Sequence, residues 1–135
     1  IGDDVIGTIS GVHYTETRDS EANKAFRKAL TDTHGPNTVP DMASVGAWDG
    51  MKLIYAAVEK FGPKVTGDQA IGMYKGMKWE SPRGPVMIDP NERDIVQNVY
   101  LRKVEKRDGK LVNIDFFTTK MAKDPWQLEN PVKKK

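Results

Sequence analysis

Residues 5–14, Val-Ile-Gly-Thr-Ile-Ser-Gly-Val-His-Tyr, are rich in β-branched side chains and predict a strand. The period changes at Asp19. Ala22, Ala25, Phe26, Ala29 and Leu30 follow the i, i+3, i+4, i+7, i+8 spacing of one helix face. Asp19 or Ser20 can cap this helix, Glu21 sits in its first turn, and His34-Gly35-Pro36 ends it. After the Pro40-Asp41 break a second helix is predicted over about Ser44 to Phe61. Trp48, Met51, Tyr55 and Val58 make one stripe, and Ile54, Ala57 and Phe61 widen it, so this helix should be central. Gly62-Pro63 stops it. A third helix runs from Gly67 or Asp68 to Met77, with Ile71 and Tyr74 inward. The expected core is therefore Phe26, Leu30, Trp48, Met51, Ile54, Tyr55, Val58, Phe61 and Ile71.

After Trp79 the grammar is that of strands and turns. Ser81 to Pro85 reads as a turn or rigid loop, and Val86 to Ile88 as a short strand stopped at Asp89-Pro90. Residues 95–106 fit a helix face or a strand. The Asp108-Gly109 turn that follows favours a hairpin, 96–106 with 110–118. From Thr119 a polar tail is expected, ending in the basic Lys133 to Lys135. The order is strand, three helices, strands, which is an α/β chain. One strand and a hairpin do not complete a doubly wound sheet, and the helices carry more apolar face than those strands could cover. That mismatch, and a first residue that is Ile1 rather than Met, suggest a piece cut from a longer protein.

Composition narrows the chemistry. The 135 residues are the size of one domain, with 38% apolar and 30% charged residues. No apolar run nears the roughly 20 residues of a membrane helix. There are no cysteines, and His13 and His34 are the only histidines. This excludes thiolate sites and leaves little room for a metal centre. A net charge of +2 is too balanced for a nucleic-acid binder that works by its field. Dinucleotide, Walker and nucleophile-elbow spacings are missing. His34 suits a helix C-terminus. Asp89, Glu92 and Asp94 resemble a calcium loop only in charge and suit a capping role. Arg83, in Pro-Arg-Gly-Pro, offers a fork for a ligand carboxylate or is a turn arginine. His13 beside Tyr14 is a packed pair or a site, and Trp48 packs the core or stacks on a ligand.

In order along the chain, several segments resemble the C-terminal part of the type I periplasmic solute-binding proteins of ABC transporters, the branched-chain-amino-acid-binding class. Ile6-Gly7-Thr8-Ile9 is similar to the family's "E-G" strand, and the helix from Glu21 to His34 before Gly35-Pro36 to its next helix. Val45-Gly46-Ala47-Trp48-Asp49-Gly50 stands where the family shows "Y-D-A", and Ala56 to Gly62 resembles that helix's end. Gly84-Pro85-Val86-Met87-Ile88-Asp89-Pro90 resembles a later strand, and the 96–117 hairpin the closing strands.

The resemblance implies a partial type I periplasmic-binding-protein fold: an entering strand, three helices and a closing β-hairpin. Residues 1–15 would be strand and crossover, 16–80 the helical part of a first lobe, 81–118 closing strands and 119–135 a tail. The parent would be a periplasmic receptor holding a solute between two lobes, partnered by a membrane permease, with no cofactor, metal or catalysis. The solute would be a branched-chain amino acid or an aromatic carboxylate. Val45 and Gly46 would line the pocket with Trp48 behind them. His13 and Tyr14 would lie near the cleft rim, and Arg83 would be available to a carboxylate. Alone, the chain would self-associate or be held by the remainder of its parent. The rival readings are a small α+β enzyme using His13, Arg83 and Asp89, and a protein-interaction module using the hairpin edge.

Overall fold

The helix boundaries follow from their caps. The computed structural model describes residues 2–130; the Lys133–Lys135 end lies outside them. Ser20 begins α1 (Glu21–His34), its hydroxyl accepting from the Asn23 amide at 3.2 Å. Gly35, with φ at 96°, ends it. The second helix, α2 (Met42–Phe61), starts two residues before Ser44 because Asp41 caps it. The Asp41 carboxylate accepts from the Ser44 amide at 2.8 Å, and Ser44 Oγ accepts from the Asp41 amide at 2.9 Å, a reciprocal pair that satisfies two otherwise orphaned donors. Thr66 and Gln69 make the same arrangement at the start of α3 (Gly67–Tyr74), which ends short of the expected Met77.

The strands form one five-stranded antiparallel sheet: β1 (Ile9–Val12), β2 (Lys78–Ser81), β3 (Gly84–Ile88), β4 (Ile95–Arg107) and β5 (Lys110–Ala122). The central strand is β4. Along one edge it pairs with β5, from Arg107↔Lys110 to Gln97↔Ala122. A strand has only two edges, so β1 and β3 lie end to end on the other. Ile9–Val12 face Lys103–Tyr100, and Val86–Ile88 face Gln97–Ile95. The predicted hairpin is present and longer than expected. In place of the expected tail from Thr119, the strand continues to Ala122 and is followed by α4 (Pro125–Glu129), capped by Asp124. The β2–β3 hairpin replaces the expected loop at Ser81–Pro85 in part, since its strands pair up to Ser81↔Gly84. At the start of the chain the strand is shorter than 5–14, because Asp3–Val5 make a 3-10 turn.

Burial corrects the expected core. Phe26 is buried with Tyr14 and Val45, and Leu30 packs on them. Tyr14 and Phe26 meet edge to face at 6.0 Å between centroids, and Phe26 meets Trp48 at 5.4 Å. A second buried group, Val86, Val96 and Tyr100, lies on the sheet. Trp48, however, is 40% exposed and Tyr55 61%; Met51, Ile54, Val58, Phe61 and Ile71 are exposed as well. The buried stripe of α2 is Val45, Asp49 and Ala57. The helix is apolar on two faces, and periodicity reports which faces are apolar, not which has a neighbour. The rotation of α2 is decided by Asp49, a polar residue that no hydrophobic stripe includes.

Candidate functional site

Asp49 is the only charged residue between Asp41 and Lys52. It is 3% exposed and meets β2 through its side chain. Its carboxylate collects four donors. Trp79 Nε1, from β2, donates to Oδ1 at 2.9 Å, and Ser81 Oγ to Oδ2 at 2.7 Å. The Arg83 guanidinium adds Nε at 2.8 Å and Nη2 at 2.7 Å, both to Oδ2. Arg83 Nη1 then donates to Gln97 Oε1 on β4 at 2.9 Å, and the Arg83 carbonyl accepts from the Tyr100 hydroxyl at 2.6 Å. Burying two ions is costly unless each is paired and hydrogen-bonded. Here both conditions are met, and the network ties one helix to two strands, β2 and β4, through the β2–β3 turn.

The residues expected at a binding site gather around this junction with different roles. Arg83 is only 6% exposed and is occupied by Asp49 and Gln97 rather than open to a ligand. Val45 is 0% exposed and Tyr14 is fully buried, so neither offers surface to a solute. The Tyr14 hydroxyl donates to Asn23 Oδ1 at 2.9 Å, and Asn23 Nδ2 donates to the carbonyls of Glu16 and Arg18. Burial pushes the Tyr14 phenol well up from its ordinary value. Gly46 is half-buried with open space where a side chain would be. Trp48 rests an edge on Phe26 and exposes the rest. A groove of about 450 Å³ runs beside it, lined by Trp48, Met51, Lys52, Tyr55, Ala56 and Glu59. The sequence reading gave no role to Asp49, Ser81 or Gln97. The one available signal was a lone acid inside an otherwise uncharged helical stretch.

His13 is half-buried near this ion pair. Burial, and then the Arg83 charge, push its pKa below 6.5, while Asp49 pulls it up more weakly. The folded state therefore binds its proton less readily than the unfolded chain does. Its contribution to stability is complete above about pH 6.5 and declines as the pH falls below that. Denaturant unfolding between pH 8 and 5 should show this decline in the natural sequence and a flatter profile in His13→Gln. Equal slopes would place the titration elsewhere.

Asp89 is a cap, as its charge pattern suggested. Its Oδ1 accepts from the amides of Asn91 and Glu92, and Lys123 pairs with Oδ2 at 2.7 Å. The Lys123 bond first, and then the two amides, hold its pKa at about 2. Among the described residues no group of three or more His, Cys, Asp or Glu side chains is arranged to hold a metal ion. Of the residues named in the enzyme reading, Arg83 is bound to Asp49 and Asp89 to Lys123.

Residues 1–110 match the family model described as periplasmic binding protein. The chain belongs to the periplasmic binding protein family. Over 126 residues it is 40% identical to the Leu/Ile/Val-binding protein homolog 6 of Brucella abortus (strain 2308), covering 93% of this chain and 32% of that protein. A solute-binding protein of an ABC transporter from Rhodopseudomonas palustris HaA2, solved with p-hydroxybenzoic acid, superposes with a TM-score of 0.89 at 45% identity, over 95% of this chain and 35% of that one. Another from Rhodopseudomonas palustris BisB5, solved with 3,4-dihydroxybenzoic acid, gives 0.86 at 46%, over 94% and 34%. This periplasmic-binding-protein chain thus spans about a third of the length of these relatives, and its mixed α/β architecture is a partial version of their fold. The family and these relatives are transport binding proteins.

Proposed function

We propose that the chain is part of the solute-binding receptor of an ABC uptake transporter, and that its parent closes on an aromatic carboxylate between two lobes in the periplasm. The observation that carries this reading is the 45–46% identity, at TM-scores of 0.86–0.89, to receptors solved with hydroxybenzoic acids. Binding by closure of a cleft involves no covalent chemistry. Residues 1–15 then serve as strand and crossover, 16–80 as part of one lobe, and the strands after 81 as part of the other. Gly46, Trp48 and His13 face the solute. Val45 and Tyr14 back them, and Arg83 supports α2 through Asp49. The exposed apolar side of α2 and α3 is covered by the remainder of the parent; without it the isolated chain self-associates. A membrane permease is the partner of the loaded receptor, and nucleic acid is not a partner.

A branched-chain amino acid is the second reading, supported by the 40% identity to a Leu/Ile/Val-binding protein homolog. Calorimetric titration of the natural full-length chain with 4-hydroxybenzoate and with leucine separates the two. The expected result is binding of the aromatic acid in the micromolar range and none of leucine. Binding of leucine alone reverses the assignment, and binding of neither removes it.

A further inference from the structure

β3 and β1 share one edge of β4, and Asn98 and Val99 fall between them: β3 pairs up to Gln97, and β1 begins at Tyr100. On the other edge, β5 is irregular over the same stretch. From Gln97↔Ala122 to Val99↔Thr119, two steps along β4 meet three along β5; from Leu101↔Phe117 to Arg102↔Asp115, one step meets two. Each is a bulge, which bends and twists a strand pair locally. At the first, Met121 sits at φ 47°, a left-handed backbone that persists only where its surroundings enforce it. The buried Asn98 does so, its Oδ1 accepting from the Met121 amide at 3.0 Å. The sheet is thus two halves joined by a bent ribbon, 97–102 with 115–122.

Each half is tied to different groups. β2, the β2–β3 turn and Gln97 hold α2 through the Asp49–Arg83 pair. β1 and the outer parts of β4 and β5 hold the segment that follows β1. Arg102 Nε donates to Ser10 Oγ at 3.0 Å, Thr17 Oγ1 to the Asn113 carbonyl at 2.6 Å, and Asn113 Nδ2 to Glu16 at 3.1 Å. Tyr100 reaches from this second half to the first. It pairs with Val12 of β1, and its hydroxyl donates to the Arg83 carbonyl at 2.6 Å. The Arg18 guanidinium lies 4.5 Å from the centroid of its ring and fixes the ring's plane. Gly84 makes the approach possible: a Cβ there would stand 2.6 Å from the Tyr100 hydroxyl, on a backbone with φ at +101°.

We propose that the Tyr100–Arg83 hydrogen bond is a latch that holds the two halves in the arrangement of the solute-bound receptor. The inference rests on the reading of the chain as part of a receptor that closes on a solute. Both halves superpose together on receptors solved with hydroxybenzoic acids, at TM-scores of 0.86 and 0.89 over 94% and 95% of this chain. Closure of this kind is absorbed by a few residues between packed units, which the bulged ribbon supplies. Through Arg83 and Asp49 the latch reaches α2, the helix that carries Gly46 and Trp48. Breaking it leaves every contact to the solute in place and lets the receptor open faster.

The test uses the natural full-length chain with 4-hydroxybenzoate and with leucine. Tyr100→Phe keeps the ring and removes the donor. It should raise Kd roughly 3- to 10-fold, the size of one hydrogen bond, through a faster off-rate in stopped flow. Tyr74→Phe is the control. It removes a similar bond, from the Tyr74 hydroxyl to the Leu53 carbonyl at 2.9 Å, within the α2–α3 pair, and should leave Kd and off-rate unchanged. In the natural sequence, amide hydrogen exchange at 98–100 and 118–121 should slow on solute binding more than at 103–106 and 111–114, a readout that does not depend on a variant folding. An unchanged off-rate in Tyr100→Phe, equal losses in both variants, or uniform slowing of exchange each overturn the latch. The latch acts on closure, so the same comparison decides it with whichever solute binds; binding of leucine alone removes only the aromatic reading. Binding of neither overturns both.

Discussion

Asp49→Ala is expected to lower the stability of the chain by about 3–5 kcal/mol, measured by chemical denaturation. Asp49 and Arg83 keep only 4% and 7% of their side-chain surface exposed, so solvent cannot replace the lost partner. Removing the carboxylate leaves a buried guanidinium uncompensated and strips Trp79 Nε1 and Ser81 Oγ of their acceptor. Replacing both ions should cost less than replacing Asp49 alone, because the penalty comes mainly from the orphaned charge. A double-mutant cycle of Asp49→Leu, Arg83→Leu and the pair measures that coupling. A loss below about 1 kcal/mol for Asp49→Ala would mean that the junction is solvated and does not fix the rotation of α2.

Phe26→Ala should cost a similar amount, roughly 3–5 kcal/mol, because it empties the place where α1 meets Tyr14, Val45 and Trp48. Trp48→Ala should cost clearly less in the isolated chain. The helix stripe read from sequence puts Trp48 in the core. The structure reverses the order, because Trp48 touches Phe26 with one edge and exposes 40% of its surface. Thermal or urea unfolding of the two variants side by side checks the ranking. If Trp48→Ala were the more damaging, the exposed face of α2 would be packed in solution. Concentration dependence of the unfolding midpoint would then identify a second copy as the cover.

Local chemistry was legible from the residues alone. Ser20 caps α1 as expected, and Asp41 and Thr66, which the sequence reading did not single out, act in the same way, because a short side-chain acceptor before a helical run satisfies free amides whatever surrounds it. Asp108-Gly109 turns a hairpin for an equally local reason: it tolerates left-handed backbone, and both residues have positive φ here. The ordered set of weak motifs also carried the family, since the order of segments survives where no single motif is specific. Other features needed the tertiary structure. The short β2 was hidden because a four-residue strand next to a proline has little pattern of its own, and its pairing with β3 creates it. The inward face of α2 was hidden because two apolar faces are equivalent until a neighbour arrives. The site residues divided in the same way. Residue type marked Arg83 as a fork for a ligand carboxylate, but the carboxylate it binds here is Asp49, 34 positions earlier in the chain. Sequence order determined which groups the chain carries and where its helices and turns begin. Only long-range packing decided which of those groups satisfy one another, because desolvation and partner geometry do not exist until distant segments meet.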